Sequence, residues 1–275
     1  MVFTTDFGLV DSYVGVMKGV ALGINPQARF IDLTHGIEPQ DIGQGAFVLG
    51  VNYRHFPQNS IHVVVVDPDV GTSRWPVLIS TPHGQFVGPD NGVLSSVLSD
   101  YLEDIPDTGE KADLPPGVSA VRLTNEAYWR HPVSDTFHGR DVFVPVAAHL
   151  SLGVPPTELG KPIDSLVWLP MLKPVVESNG VSGQVIYKDV FGNLVSNIPA
   201  ALLSDHTSVQ VSIGGQTIEG LSRTFADTGS SSAAGLIALT GSHGYLEVAV
   251  PRGNAAAVLG IDTGDSVMVS YPDGC

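Results

Sequence analysis

Apolar and polar positions follow two different rhythms along this chain, and the change comes near residue 180. Before it, short apolar runs alternate with longer stretches whose apolar residues recur every three or four positions. Residues 2–5 read as a strand. Asp11 is placed to cap a helix over 12 to about 24, with Val16, Val20 and Ile24 along one face and Pro26 beyond its end. Residues 30–33 predict a second strand. Asp41 caps a second helix carrying Ile42, Ala46, Leu49 and Val51, which stops before Pro57. The run 61–66 is apolar without alternation, as a central parallel strand buried on both faces requires. Residues 76–81 and 85–87 predict a hairpin through His83-Gly84, and 93–102 and 142–152 predict helices. This order describes a layered α/β domain with a largely parallel central sheet over residues 1–160.

From about Gly180 the period becomes two. Runs at 181–187, 194–198, 209–213, 236–240, 246–250 and 266–270 are separated by Gly-Asn, Gly-Gly and Asp-Gly type turns. They predict a smaller all-β barrel domain over 175–275. The stretch 155–174 holds five prolines, and 161–174 reads as the linker between the two domains.

Composition narrows the function. Acidic residues outnumber basic ones 28 to 13, a formal net charge of −15, with no cationic cluster to offset it. Such a surface repels phosphate backbones, so nucleic acid is not an expected partner. The lone cysteine, Cys275, excludes an intrachain disulfide and a cysteine-based zinc site. Met1 runs into Val2-Phe3-Thr4-Thr5-Asp6 without a leader pattern, and no apolar run is long enough for a bilayer; the expectation is a cytoplasmic protein that does not touch membrane.

Polar, glycine-bearing motifs stand where strands are predicted to end. Asp6-Phe7-Gly8 closes the first strand, and Asp67-Pro68-Asp69-Val70-Gly71-Thr72 closes the central one. In open α/β sheets, ligands bind beyond the carboxyl ends of parallel strands. Asp90-Asn91-Gly92 and Phe137-His138-Gly139-Arg140-Asp141 each precede a helix. Each has a plainer explanation: Asp11 as a cap, Asp90-Asn91-Gly92 as a turn, Asp141 as a first-turn carboxylate. A metal site from Asp6, Asp67, Asp69 and His138 is chemically conceivable, but no metal-ligand spacing supports it. No dinucleotide, phosphate-loop, zinc-protease or nucleophile-elbow motif is present.

Together, TTDFG-x-x-D-S-Y-V-G-x-M-K-G, VVDPDVGTSR, GPDNG, FHGRDVF, DVFGNLVSNI and GSHGYLEVAV resemble the S-adenosylmethionine hydroxide adenosyltransferases, relatives of fluorinating and chlorinating enzymes that use the same substrate. The six elements come in the same order and cover nearly the whole chain. The resemblance implies hydrolysis of S-adenosyl-L-methionine to adenosine and methionine, with no cofactor and no metal. It also implies a homotrimer whose active sites form between neighbouring subunits. Residue by residue, it assigns water activation to Asp67, Arg74 and His138, and the ribose hydroxyls to Asp6. Asp11, in the same motif, is counted with the substrate-binding residues. Asp189, Phe191 and Asn193 match the element contacting the methionine amine and the adenine, and Phe225 an aromatic near the adenine. Ser242 and His243 match the loop that takes the methionine carboxylate, although the halogenating relatives carry Arg at the His243 position. Asp69 stands where glycine is commoner.

The implied chemistry suits these residue types. The sulfonium is already a good leaving group, so the site must chiefly orient and deprotonate a water in line with the C5′–S bond. A halide about 4 Å from an Asp67 carboxylate is repelled by roughly 4 kcal/mol at an effective dielectric near 20, which favours water over halide. The competing functions are a halogenase of the same family, a non-catalytic S-adenosylmethionine or adenosine binding protein, and a metal-dependent hydrolase.

Overall fold

Strand pairing follows from burial. In the computed structural model, which describes residues 1–103, 106, 109–170, 172–204, 208–227 and 232–272, the chain divides into two compact units, Met1–Met171 and Leu172–Cys275. The strands of the first unit are β1 (Val2–Thr5), β2 (Ile31–Thr34), β3 (Ile61–Val65), β4 (Pro76–Thr81), β5 (Gly84–Pro89), β6 (Lys111–Asp113), β7 (Ser119–Leu123), β8 (Gly160–Ile163) and β9 (Ser165–Val167). Seven of them form one sheet in the order β2-β1-β3-β5-β4-β7-β8. The β2-β1-β3-β5 half is parallel, and the β5-β4-β7-β8 half is antiparallel. Every residue of β3 is buried, as its unbroken apolar run predicts.

The helices are α1 (Tyr13–Ile24), α2 (Ile42–Asn52), α3 (Ser95–Ser99), α4 (Val144–Ser151) and α5 (Pro156–Leu159). Two expectations for α1 need correcting. Its N-cap residue is Ser12, with no side-chain cap, so Asp11 does not cap it. Its buried face is Val14, Met17 and Ala21, at a 3.6-residue period, which turns Val16 outward. Asp41 caps α2 as expected, its Oδ1 accepting from the Gln44 N–H at 2.8 Å. The helix expected over 93–102 shrinks to α3. Just beyond it Asp100 accepts from Tyr53 Oη at 2.7 Å and Arg54 Nε at 2.9 Å, tertiary bonds that compete with helical continuation. The helix expected from 142 is preceded by a π-helical turn, Gly139–Phe143, with α4 following at once.

The predicted linker is largely not one. β8 pairs with β7, β9 pairs with β6, and the Trp168 side chain is fully buried, so 160–168 is built into the first unit. Of the prolines in 155–174, Pro155 and Pro156 open α5 and Pro162 lies in the edge strand β8, where a missing N–H is tolerated.

Among its described residues the second unit contains β10 (Val175–Glu177), β11 (Gly180–Lys188), β12 (Leu194–Pro199), β13 (Gln210–Ile213), β14 (Gln216–Glu219), β15 (Ile237–Thr240), β16 (Tyr245–Ala249), β17 (Ser266–Ser270) and one α-helix, α6 (Ala255–Leu259). Their antiparallel path runs β14-β13-β17-β11-β12-β16-β15, with β10 alongside β11. A bridge between Ser222 and Leu239 joins the chain leaving β14 to β15, nearly closing the sheet into a barrel. Its core includes Val181, Val185, Ile198, Val211, Leu246 and Val269. The β13–β14 hairpin turns on Gly214 and Gly215, both at positive φ, which matches the right-handed twist of the strands. Among the described residues, no helix is long and apolar enough to cross a membrane.

Candidate active site

β1 and β3 are parallel neighbours, so Asp6 and Asp67 stand just past the carboxyl ends of adjacent strands. The Asp6 turn is stapled to the loop after β2. Gly8 N–H donates to His35 O at 2.7 Å, and Gln40 N–H donates to Asp6 Oδ2 at 2.8 Å. To make that bond Gln40 holds φ at 70°, a left-handed conformation rare outside glycine. Phe7, Tyr13 and Phe137 form an aromatic cluster beside it, with ring centroids 5.1 to 5.8 Å apart. Asp11 is exposed.

Arg74 joins the two other expected residues. Its Nε donates to Asp67 Oδ1 at 2.8 Å, its Nη2 donates to Asp67 Oδ2, and Nη2 also lies 2.8 Å from His138 Nδ1. Both side chains of the Arg74–Asp67 pair are buried, at 6% and 4% exposure. Burial pushes the Asp67 carboxyl above its ordinary value, with Arg74 pulling the other way and the charge of Asp69 adding to the rise. Burial and the Arg74 charge together lower the His138 pKa.

A guanidinium has donors only and does not lose its proton. His138 Nδ1 therefore accepts, and in the neutral ring the proton sits on Nε2. The triad thus presents a carboxylate of raised basicity and a neutral imidazole whose free edge is an N–H donor.

Asp90 is structural. Its carboxylate accepts from Val167 N–H at 2.7 Å and pairs with Lys111 at 3.0 Å, while Lys111 and Arg122 both pack on Trp75. Asn91 Nδ2 donates to Val66 O at 2.9 Å and so ties this turn to the end of β3.

In the second unit, Asp189, Phe191 and Asn193 share one tight loop. Asp189 Oδ1 accepts from the N–H groups of Phe191 and Asn193, and Oδ2 from Asn193 Nδ2, each at 2.9 Å. The carboxylate shapes the loop, Asn193 is buried, and Phe191 is displayed at 70% exposure. Gly192, at φ 81°, has no room for a β-carbon, which would lie 2.1 Å from Asn254. Phe225 and Ser242 are exposed. The His243 ring turns inward: Nδ1 accepts from Tyr245 N–H at 3.2 Å and Nε2 lies 3.1 Å from Glu247 Oε2. Its side chain thus braces its own turn. Gln40 and Glu247 were not singled out from sequence. Glu247 had a signal, a lone charge inside the apolar run LEVAV; Gln40 had none.

Among the described residues, no group of three or more His, Cys, Asp or Glu is placed to hold a metal ion.

Similarity to known proteins agrees with this architecture. The SAM hydroxide adenosyltransferase N-terminal domain matches residues 1–160, and the C-terminal domain of the same family matches 183–268. The (R)-S-adenosyl-L-methionine hydrolase of Salinispora arenicola is 38% identical over 98% of this chain and 96% of its own length. A fluorinase from Nocardia brasiliensis is 26% identical over 97% of this chain and 95% of its own. The crystal structure of an uncharacterized conserved protein from Thermotoga maritima superposes with a TM-score of 0.86 at 37% identity, covering 98% of this chain and all of that one. With both domains matched in order and a close relative along nearly its full length, this chain belongs to the SAM hydroxide adenosyltransferase family.

Proposed function

We propose that this protein hydrolyses S-adenosyl-L-methionine to adenosine and L-methionine, by in-line attack of water on the ribose C5′ carbon. The observation that carries the proposal is the single guanidinium of Arg74 bonded to both Asp67 and His138. Asp67 takes the proton of the attacking water, because the lone pair of His138 Nδ1 is already engaged by Arg74 and its other nitrogen carries a proton. His138 donates from Nε2 and orients the water oxygen. A positioned base contributes about 10²–10⁴-fold, and in-line alignment supplies much of the remainder. Methionine departs as a neutral thioether, so no acid is required.

The same carboxylate disfavours a halide. Its buried charge repels an anionic nucleophile but attracts the sulfonium, and the greater identity to a hydrolase than to a fluorinase points the same way. The relatives are named for the (R) epimer at sulfur, and we extend that preference to this chain. Both epimers break the same C5′–S bond, so the choice between them falls to the residues that hold the methionine part. The proposed mechanism uses no metal and no cofactor.

We further propose a homotrimer in which neighbouring copies complete one another's sites, as the sequence resemblance implies. Mixing an inactive Asp67→Ala chain with an inactive Asn193→Ala chain is then expected to restore activity on co-assembly, and no recovery despite subunit exchange overturns it.

The hydrolase proposal is tested with each purified epimer in heavy-oxygen water, with EDTA and with or without chloride. The expected result is equal adenosine and methionine, label in the adenosine 5′-hydroxyl, and faster loss of the (R) form. A chlorinated nucleoside, label in neither product, or activity lost to EDTA and restored by a divalent ion overturns it.

A further inference from the structure

Asp141 is a carboxylate with no solvent exposure and no part in the chemistry above. Its Oδ1 accepts from Arg140 Nε at 2.7 Å and Arg130 Nη1 at 3.2 Å; its Oδ2 accepts from Arg140 Nη2 at 2.6 Å and Ser134 N–H at 2.9 Å. The main chain joins in. In an α-helix the Asp141 carbonyl would receive the N–H of residue 145, but that residue is Pro145 and has none. The carbonyl instead accepts from Arg130 N–H at 2.8 Å. One residue thus gathers both ends of the loop 130–140.

His138 rides on that loop. Among the described residues its ring makes one hydrogen bond, to Arg74, so its position depends on where the loop is held. The opposite wall is the turn after β3. There Gly71, at φ 80°, lets the Asp135 carbonyl oxygen approach to 2.3 Å from where a β-carbon would stand. The loop is therefore pressed on one side against the turn that follows Asp67 and tied on the other by Asp141. Burial alone would raise the Asp141 carboxyl, but the bonds from Arg140, Ser134 and Arg130 outweigh it and hold the group below its ordinary value.

We infer that Asp141 is a positioning residue for the hydrolytic reaction: by clamping Arg130, Ser134 and Arg140 it sets His138 against Arg74 and Asp67. This rests on the assignment of His138 as the donor to the attacking water. A displacement near 1 Å in such a group is enough to lower a rate about 10²-fold, while substrate held elsewhere is bound as before.

The test uses the full chain as Asp141→Asn, which keeps the size and an acceptor for Ser134 but removes the charge. The expected result is a fall in kcat of about 10- to 100-fold, with KM changed less than about threefold. In nitrogen-15 histidine spectra, the His138 signals, identified by their loss in His138→Gln, move from one fixed tautomer toward a mixture. Should Asp141→Asn not fold, Arg130→Gln removes one cation of the clamp from a half-exposed position, and a smaller kcat loss with the same spectral change is expected. A folded variant with unchanged kcat, or with unmoved His138 signals, overturns the inference, as does a loss of activity that only tracks the loss of folded protein. If the wild-type chain does not cleave S-adenosylmethionine, the functional proposal falls, and the spectra still decide whether Asp141 holds His138.

Discussion

Arg74 Nη2 sits 2.8 Å from Nδ1 of His138, and because the guanidinium can only donate, it dictates which nitrogen of that imidazole carries the proton. In the proposed mechanism His138 is thereby a donor toward the attacking water and not a base. A glutamine keeps a donor on a similar arm, whereas alanine does not. We therefore expect His138→Gln to retain at least about tenfold more kcat than His138→Ala, the scale of one hydrogen bond. Equal losses in single-turnover measurements would show that the ring acts by proton transfer.

Asp67 must be ionised to accept a proton, so kcat/KM rises with pH through its pKa. Since burial raises that pKa, the acid limb is expected above the ordinary carboxylate value of about 3.9. Asp69→Asn removes a neighbouring negative charge and is expected to move the limb toward lower pH. His138 is shifted down from 6.5, so no separate limb is expected at that value. A limb at 6.5 that ignores Asp69→Asn assigns the titration to the imidazole.

Asp6→Ala is expected to raise KM by about 10- to 100-fold while a saturated turnover changes little. Hydrogen bonds from ribose hydroxyls to a carboxylate are equally present in ground and transition states, and bonds to charged groups are worth about 1.5–3 kcal/mol. The reverse pattern, an unchanged KM with a collapsed kcat, would place Asp6 in the chemical step.

Gly71 and Gly153 both hold positive φ, but only Gly71 has backbone in the way of a β-carbon. Each alanine substitution carries left-handed strain of about 1 kcal/mol or more. Gly71→Ala must also push Asp135 away, which moves the loop bearing His138. Its melting temperature is expected to fall further than that of Gly153→Ala, and kcat to fall with it. Equal effects in calorimetry and kinetics would contradict the close packing.

His62 is fully buried in β3, stacked on Phe86 at 4.8 Å, with neither ring nitrogen bonded. Burial first, and then the nearby chain N-terminus, lower its pKa from 6.5 to about 4. The unfolded chain thus binds a proton more readily, and stability falls as pH drops from 6.5 toward 4, by up to about 3 kcal/mol. His62→Phe is expected to flatten that acid slope in thermal melts. A slope that persists would locate the lability elsewhere.

Much of the first unit was legible because its signals are physical necessities. An unbroken, β-branched IHVVVV run fits a strand buried between two others, and Asp41 three residues before Gln44 fits an N-cap. What stayed hidden depends on partners distant in sequence. The 160–168 stretch reads as proline-rich connection until β7 and β6 offer it edges to pair with. At the π turn Arg130 supplies the Asp141 carbonyl with the bond that Pro145 cannot give, across a gap no local pattern reports. For the site, the motifs marked Asp67, Arg74 and His138 as candidates, but only geometry fixed the direction of each hydrogen bond. Asp189 reads as a ligand residue from its motif, and the hydrogen bonds its oxygens accept within their own loop carry no local sequence signal.

That use of Asp189 bears on affinity. A loop ordered only by its ligand loses conformational entropy at the moment of binding, roughly 0.5–1.5 kcal/mol for each side chain immobilised. Here three hydrogen bonds accepted by one carboxylate hold the turn, and the crowding of Gly192 against Asn254 removes alternatives. Under the proposed function, a flat ring packing on the exposed face of Phe191 would meet a turn already held in its binding shape, so less ordering entropy is lost on binding without any gain in contact area.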